Sequence, residues 1–379
     1  MTPPDPTTEN LPTTTVRVRA LDWMRGLVMV LMTVDHASGV FNAGRFMRDA
    51  VWRWQPGTEI PAAQFLVRWM THLCAPTFVA LAGAAVALSF ARRAADPAAA
   101  RAFDRHLFLR GALIWAIDPA WMSLAFTGGK PLFQVMYALG ASFMALALLR
   151  RLSPHVLFTA ASAILLGGEA AANALAGTAL ADLSVTKLLL TGGMAGPLIA
   201  AYPLLPWLAL MLLGYVAGTW VARGLPWTRR GALLGVAMLL AFAVLRGLNA
   251  YGNGNLLRDS AELVQWLHVA KYPPSLTFVL LECGLMLVCL AALAFTAARA
   301  PITQRVLRPL ELLGRTALFY YVLHAHLMGA FALLTDTRRA FGIDGALLGA
   351  IACLLLLYPA CIAYDRYKRA HPDGWTRFL

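Results

Sequence analysis

Apolar runs separated by short polar or Gly/Pro-rich stretches fill the chain. They predict helices at about 20–40, 62–91, 107–126, 132–149, 155–176, 198–222, 231–249, 274–298, 315–334 and 344–364. Each run is long enough to cross a bilayer, since roughly 20 helical residues cover a hydrocarbon core about 30 Å thick. The pattern therefore predicts an all-α polytopic membrane bundle of about 10 transmembrane helices. Basic residues gather in alternate connectors: Arg17 and Arg19, then Arg92, Arg93, Arg101 and Arg105, then Arg150 and Arg151, and so on to Arg366, Lys368 and Arg369. The positive-inside rule places these connectors, and both termini, in the cytoplasm. The opposite connectors are longer and richer in Gly, Trp, Asn and Pro, and should face outward. They also carry Arg45, Arg48, Arg53, Lys187 and Lys271, so the charge bias is incomplete. Segment 183–191 is too short to span and reads as a re-entrant or interfacial helix.

The first predicted span departs from the pattern by keeping Asp22, Arg25, Asp35 and His36. An ionisable group inside a membrane helix is unfavourable by about 2.5–3.5 kcal/mol, so a helix that keeps several of them uses them. Arg25 and His36 are 11 residues apart. That spacing amounts to three turns plus about 20°, which puts both on one face about 16 Å apart along the axis. Met29 and Met32 lie between them on that face. The helix thus offers a cation near one membrane surface, a soft apolar wall, and an imidazole near the other. Asp35 points roughly 100° away from His36. The same topology puts His72, Asp118, Glu169, Arg246, Lys271 and Glu282 in the outer half, with His324 near mid-depth.

Composition agrees with the class and narrows the chemistry. Hydrophobic residues make up 59% and charged residues 13% of 379, and the mean hydropathy is +0.64, values outside the range of soluble domains. The net charge of +13 is explained by basic residues bordering the spans, so no nucleic-acid partner is expected. Five cysteines, Cys74, Cys283, Cys289, Cys353 and Cys361, sit inside apolar runs without metal-ligand spacing, so neither a disulfide framework nor a metal site is expected. Residues 1–15 are rich in Pro and Thr and read as a disordered cytoplasmic tail, followed by a single domain over 16–379.

LDWMRGLVMVLMTVDH at 21–36 resembles the opening helix of bacterial relatives of heparan-alpha-glucosaminide N-acetyltransferase, part of a wider transmembrane acyltransferase superfamily. Arg25 and His36, with ten residues between, also match the R-x10-H pattern of acyltransferase-3 proteins. Four further stretches agree in order: THLCAPTFVALAG at 71–83, YPLLPWLALMLLGYVAG at 202–218, KYPPSLTFVLL at 271–281 and LGRTALFYYVLHAHL at 313–327. The resemblance implies an inner-membrane enzyme that moves an acetyl group from cytoplasmic acetyl-CoA to an extracytoplasmic glycan or amino sugar. Its partners would be acyl-CoA, that acceptor and the bilayer, with a homodimer among the allowed assemblies.

On this reading Arg25 pairs with a CoA phosphate and His324 also serves the CoA, while His36 is the general base and Asp35 joins it at the catalytic end. A transient acyl-histidine is the other route open to His36. His72, Lys271 and Tyr272 are expected at the acceptor, and Asp22 supports Arg25 across one turn. In the family the histidine described as catalytic lies in the loop beyond the first helix. No histidine occurs between Ala37 and Thr71 here, so His36 or His72 takes that role. Two other readings stay open: an exporter of a small polar or glycan-derived solute, and an acyltransferase with a lipid or peptide acceptor.

Overall fold

The computed structural model describes residues 13–299, 301–372 and 374–378. Its helices are α1 (Thr13–Phe41), α2 (Ala62–Met70), α3 (Cys74–Ala91), α4 (Pro97–Ile117), α5 (Ser123–Thr127), α6 (Val135–Leu149), α7 (Pro154–Leu175), α8 (Ser184–Thr186), α9 (Leu204–Ala222), α10 (Thr228–Leu248), α11 (Leu263–Leu267), α12 (Leu276–Arg299), α13 (Pro301–Val306), α14 (Arg308–Arg315), α15 (Ala317–Leu334) and α16 (Ile343–Ala370). Most of the expected tail lies outside the described residues, and α1 already begins at Thr13.

Seven segments among the described residues are long and apolar enough to cross a membrane: α2 with α3 taken together, α7, α9, α10, α12, α15 and α16. The pattern predicts ten. The other three fall short for physical reasons: α6 has 15 residues, and ionised side chains dilute α1 and α4.

Several predicted helices are interrupted. The run 62–91 breaks at Thr71, whose hydroxyl donates to the Arg68 carbonyl at 2.7 Å, and restarts before Pro76, which has no amide hydrogen to give. The run 107–126 passes through a π-turn at Asp118–Met122 that contains Pro119. Residues 132–133 and 198–200, expected as helix starts, are extended instead. They form a small sheet of β1 (Leu132–Phe133), β2 (Gly193–Ala195) and β3 (Leu198–Ala200) in the order β1-β3-β2, with β1 parallel and β2 antiparallel to β3. Gly196, at φ 58°, makes the β2–β3 turn in a region that side chains disfavour. Segment 183–191 is α8 followed by a π-turn at Lys187–Thr191.

Packing separates inner from outer helices. α3 and α9 cross so closely that a methyl group on Gly83 would overlap the Met211 carbonyl, and one on Gly214 would overlap that of Ala80. α1 lies against α14, α16, α12, α15 and α3, and meets α14 where Gly26 faces the Leu310 carbonyl and Gly314 faces that of Asp22. This crossing holds Asp22 and Arg25 beside the end of α14. α7, α10 and α16 instead turn outward rows of exposed leucines such as Leu166, Leu233, Leu240, Leu348 and Leu355, as helices bathed by lipid do.

Candidate functional site

A cavity of about 890 Å³ runs along the face of α1 that carries Arg25, Met29, Met32 and His36. One end is basic. Arg25 donates to Asp22 Oδ1 at 3.1 Å and to the Leu81 carbonyl at 2.9 Å, so its fork is aimed by α1 and α3 together. Arg110 of α4 lies over the Phe143 ring at 5.7 Å, and its buried Nε has no hydrogen-bond partner. Arg92, Arg93 and Lys368 complete this end. Between the two ends α1 presents Met29 and Met32 to the cavity, and Phe78 and Leu139 also line it.

The other end, beside the long connectors, is a closed set of charge pairs. Asp35 Oδ1 accepts from Arg68 at 2.6 Å, from Arg45 at 3.0 Å and from the Thr71 hydroxyl at 3.1 Å. Arg45 also donates to the Asp35 backbone carbonyl. Arg68 reaches across to Asp49 Oδ2 with Nη2 at 2.6 Å and Nε at 2.9 Å, and donates to the Tyr272 hydroxyl at 3.1 Å. His72 Nε2 stands 3.1 Å from the same Asp49 oxygen. Burial alone would raise the Asp49 carboxyl, but the Arg68 guanidinium and the His72 contact outweigh it and hold the group far below the usual carboxylate range.

His36 projects into this end of the cavity between the edges of Phe126 and Tyr321, at centroid distances of 5.2 and 6.0 Å. Its Nδ1 is 2.6 Å from Nε2 of the fully buried His324. The structure therefore brings His36, Asp35, Arg25 and Lys271 to one cavity, with Asp22 on Arg25. His324 stands behind His36 and His72 behind Asp49, and neither lines the cavity. Tyr272 is a partition. Its ring lies 5.3 Å from that of Tyr202, which lines the main cavity, and 6.5 Å from that of Trp52, which lines a second one of about 540 Å³ with Lys187, Asn173, Asn255 and Pro273.

Sequence reasoning did not single out Arg68, Asp49, Arg110 or Tyr202. Arg68 was legible, being the one Asp, Glu, Lys or Arg in the run 62–91, and a lone arginine in a membrane-length run signals a buried partner. Other polar residues expected in the outer half organise connectors. Asp118 Oδ2 accepts from the Gln134 and Tyr137 amides at 2.9 and 2.7 Å, at the start of α6. Glu169 accepts from the Gly252 and Gly254 amides at 2.8 and 2.9 Å. Arg246 donates to carbonyl oxygens of Leu256, Gln265, Trp266 and His268 and to the Asn253 side chain. Glu282 is buried with one oxygen unpartnered. The five cysteines are free thiols, and no group of His, Cys, Asp and Glu among the described residues is placed to hold a metal ion.

No curated protein matches the chain at a significant level. A family model described as "Heparan-alpha-glucosaminide N-acetyltransferase, catalytic" matches residues 17–251, which include most of α1, the Arg68–Asp35 and Arg68–Asp49 pairs and Arg110, while the stretches at 271–281 and 313–327 fall beyond the matched residues. The match covers more than half of the sequence, and this multi-pass membrane chain belongs to the heparan-alpha-glucosaminide N-acetyltransferase catalytic family.

Proposed function

We propose that the protein transfers an acetyl group across the bacterial inner membrane, from cytoplasmic acetyl-CoA to an amine or hydroxyl of an extracytoplasmic sugar. The observation that carries this reading is that Arg25 and Arg110 line the same cavity as His36 and Asp35, with Met29 and Met32 of α1 between. Coenzyme A has the matching polarity: phosphates at one end, a thioester at the other, and a thin, largely apolar pantetheine arm between them. The phosphates sit at the basic end, which on this reading is cytoplasmic, as are both termini. Arg25 and Arg110 meet them as guanidinium forks.

The thioester then lies beside His36. The acceptor enters from the long-connector side, where Lys271, Tyr272 and, through Asp49, His72 shape its approach, and where the second cavity gives it room outside the Tyr272 partition. His36 removes a proton from the acceptor as its nitrogen or oxygen attacks the thioester carbonyl. Asp35, tied to Arg45, Arg68 and Thr71, fixes the end of α1 on which His36 stands.

The test uses proteoliposomes loaded with acetyl-CoA, with glucosamine outside as the acceptor probe, beside thermal melts of detergent-purified protein with acetyl-CoA. Wild type should give acetylated product and a raised melting temperature, because a ligand at 100 times its Kd stabilises the folded state by about 2.7 kcal/mol. His36→Gln should keep the thermal shift and lose turnover by about 10²-fold or more. Wild-type protein with neither shift nor product would overturn the reading and favour a transporter.

A further inference from the structure

The histidine pair determines where a hydrogen sits as well as where a ring sits. Tyr320 precedes His324 by four residues on α15, and its carbonyl oxygen lies 3.0 Å from His324 Nδ1. A carbonyl can only accept, so His324 Nδ1 carries a hydrogen. A neutral imidazole has one ring hydrogen, which leaves His324 Nε2 as a lone pair. His36 Nδ1, 2.6 Å away, must then be the donor of the bond between them. Neutral His36 is left with its own lone pair on Nε2, and that atom has no hydrogen-bond partner among the described residues while its ring lines the cavity.

The surroundings hold this arrangement in place. His324 is fully buried, the two imidazoles are nearly parallel at 10°, and the Tyr320 ring stacks on His324 at 5.3 Å and 11°. The Tyr320 hydroxyl and Thr33 Oγ1 of α1 are 2.8 Å apart, which ties α15 to the helix that carries His36. In water an imidazole prefers its hydrogen on Nε2, the tautomer in which that nitrogen could accept nothing.

We infer that His324 is a positioning residue that sets the tautomer of His36, so that Nε2 of His36 is the atom that takes the acceptor's proton. The tautomer follows from the hydrogen bonds alone, and its consequence for turnover rests on the acetyl-transfer reading. In that reaction the acceptor's proton passes to His36 Nε2 as its nitrogen or oxygen bonds to the thioester carbonyl carbon. The carbon–sulfur bond breaks, sulfur keeps the electron pair, and the proton on Nε2 goes to the departing thiolate. Nothing is oxidised or reduced. The hydrogen on His36 Nδ1 stays in place throughout, and its bond to His324 gains strength while His36 is an imidazolium.

Nitrogen NMR of the detergent-solubilised full chain, labelled with ¹⁵N-histidine, reads the tautomer directly, with the His36 signal assigned by its loss in His36→Gln. Wild type should show His36 protonated on Nδ1. In His324→Ala, His36 should shift toward the Nε2–H form, and kcat for glucosamine acetylation should fall about 10²-fold with KM for acetyl-CoA unchanged. His324→Gln, whose Oε1 reaches the place of the lost Nε2, should restore both the tautomer and the rate. A wild-type His36 protonated on Nε2, or wild-type kcat in His324→Ala, overturns the inference. An inactive wild type whose His36 is still protonated on Nδ1 leaves the tautomer standing and sinks the acetyl-transfer reading instead. If His324→Ala does not fold, the wild-type spectrum and His324→Gln decide the matter.

Discussion

The two ends of the cavity treat charge in opposite ways. At the connector end every carboxylate has a cation: Arg68 is clamped between Asp35 and Asp49 at 2.6 Å from each, and Arg45 closes on Asp35 at 3.0 Å. At the basic end Arg25 is paired with Asp22 at 3.1 Å, but Arg92, Arg93 and Arg110 have no carboxylate partner among the described residues, and the Arg110 Nε is buried without any acceptor. Paired buried ions are strongly coupled, because removing one strands the other away from water. Arg92 and Arg93 are exposed, so among these only the Arg110 guanidinium is a cation with a buried, unpartnered nitrogen, and on the acetyl-transfer reading a phosphate of the ligand is the partner that completes it. One end is thus built to hold still, and the other to be completed.

The largest expected effect comes from breaking the paired end. Arg68→Met leaves Asp35 and Asp49 facing each other with a guanidinium missing, and should lower stability by about 3–5 kcal/mol. Detergent melts would read this as little or no folded protein, whereas a melting temperature equal to wild type would show the pairs to be incidental.

Arg110→Ala sharpens the contrast from the other side. It should leave the ligand-free melting temperature unchanged and weaken acetyl-CoA binding by about 10-fold or more, since a hydrogen bond to a charged group contributes about 1.5–3 kcal/mol. A drop in ligand-free stability would mean that Arg110 has a structural partner after all.

A smaller effect is expected from pH. His268 sits in the connector before α12, its Nε2–H donating to the Arg48 carbonyl at 2.9 Å and its ring 4.4 Å from that of Trp54. Burial pulls its pKa down to about 4. The folded protein therefore keeps His268 neutral where the unfolded chain, titrating near ~6.5, would bind a proton. Its contribution to stability is full above about pH 6.5 and is lost as the pH falls toward 4. Melts from pH 7.5 to 4.5 should steepen on the acid side in wild type and flatten in His268→Phe. An identical acid slope in both would remove His268 from the account. The smallest change should come from Arg93→Ala at the exposed rim, with a slight rise in KM for acetyl-CoA that disappears in high salt, where exposed charges are screened.

The helices were legible in the sequence because the apolar pattern measures length well. The breaks were not, because Thr71 and Pro119 alter the backbone through local hydrogen bonds that hydropathy ignores. Arg25, Met29, Met32 and His36 were readable as one face because periodicity along a single helix is a short-range property. Arg45 reads in the sequence as noise in the charge rule, yet it is half of the Asp35 clamp, ten positions away and on the far side of a turn. Tyr272 was readable as a connector residue but not as a partition, since that role exists only once Tyr202 and Trp52 arrive on either side of it.

The apolar side chains between the two ends have a consequence for the membrane itself. A passage with charge at both ends is hazardous in an energised bilayer, where each elementary charge that slips through 100 mV dissipates about 2.3 kcal/mol. Met29 and Met32, with Phe78 and Leu139, offer an ion nothing to replace its hydration shell, so ions are disfavoured beside them. A thioester arm loses little in the same place. On the acetyl-transfer reading, the side chains that would fit the arm would therefore also act as an insulator, letting a neutral acyl group reach the far side while the voltage across the membrane is kept.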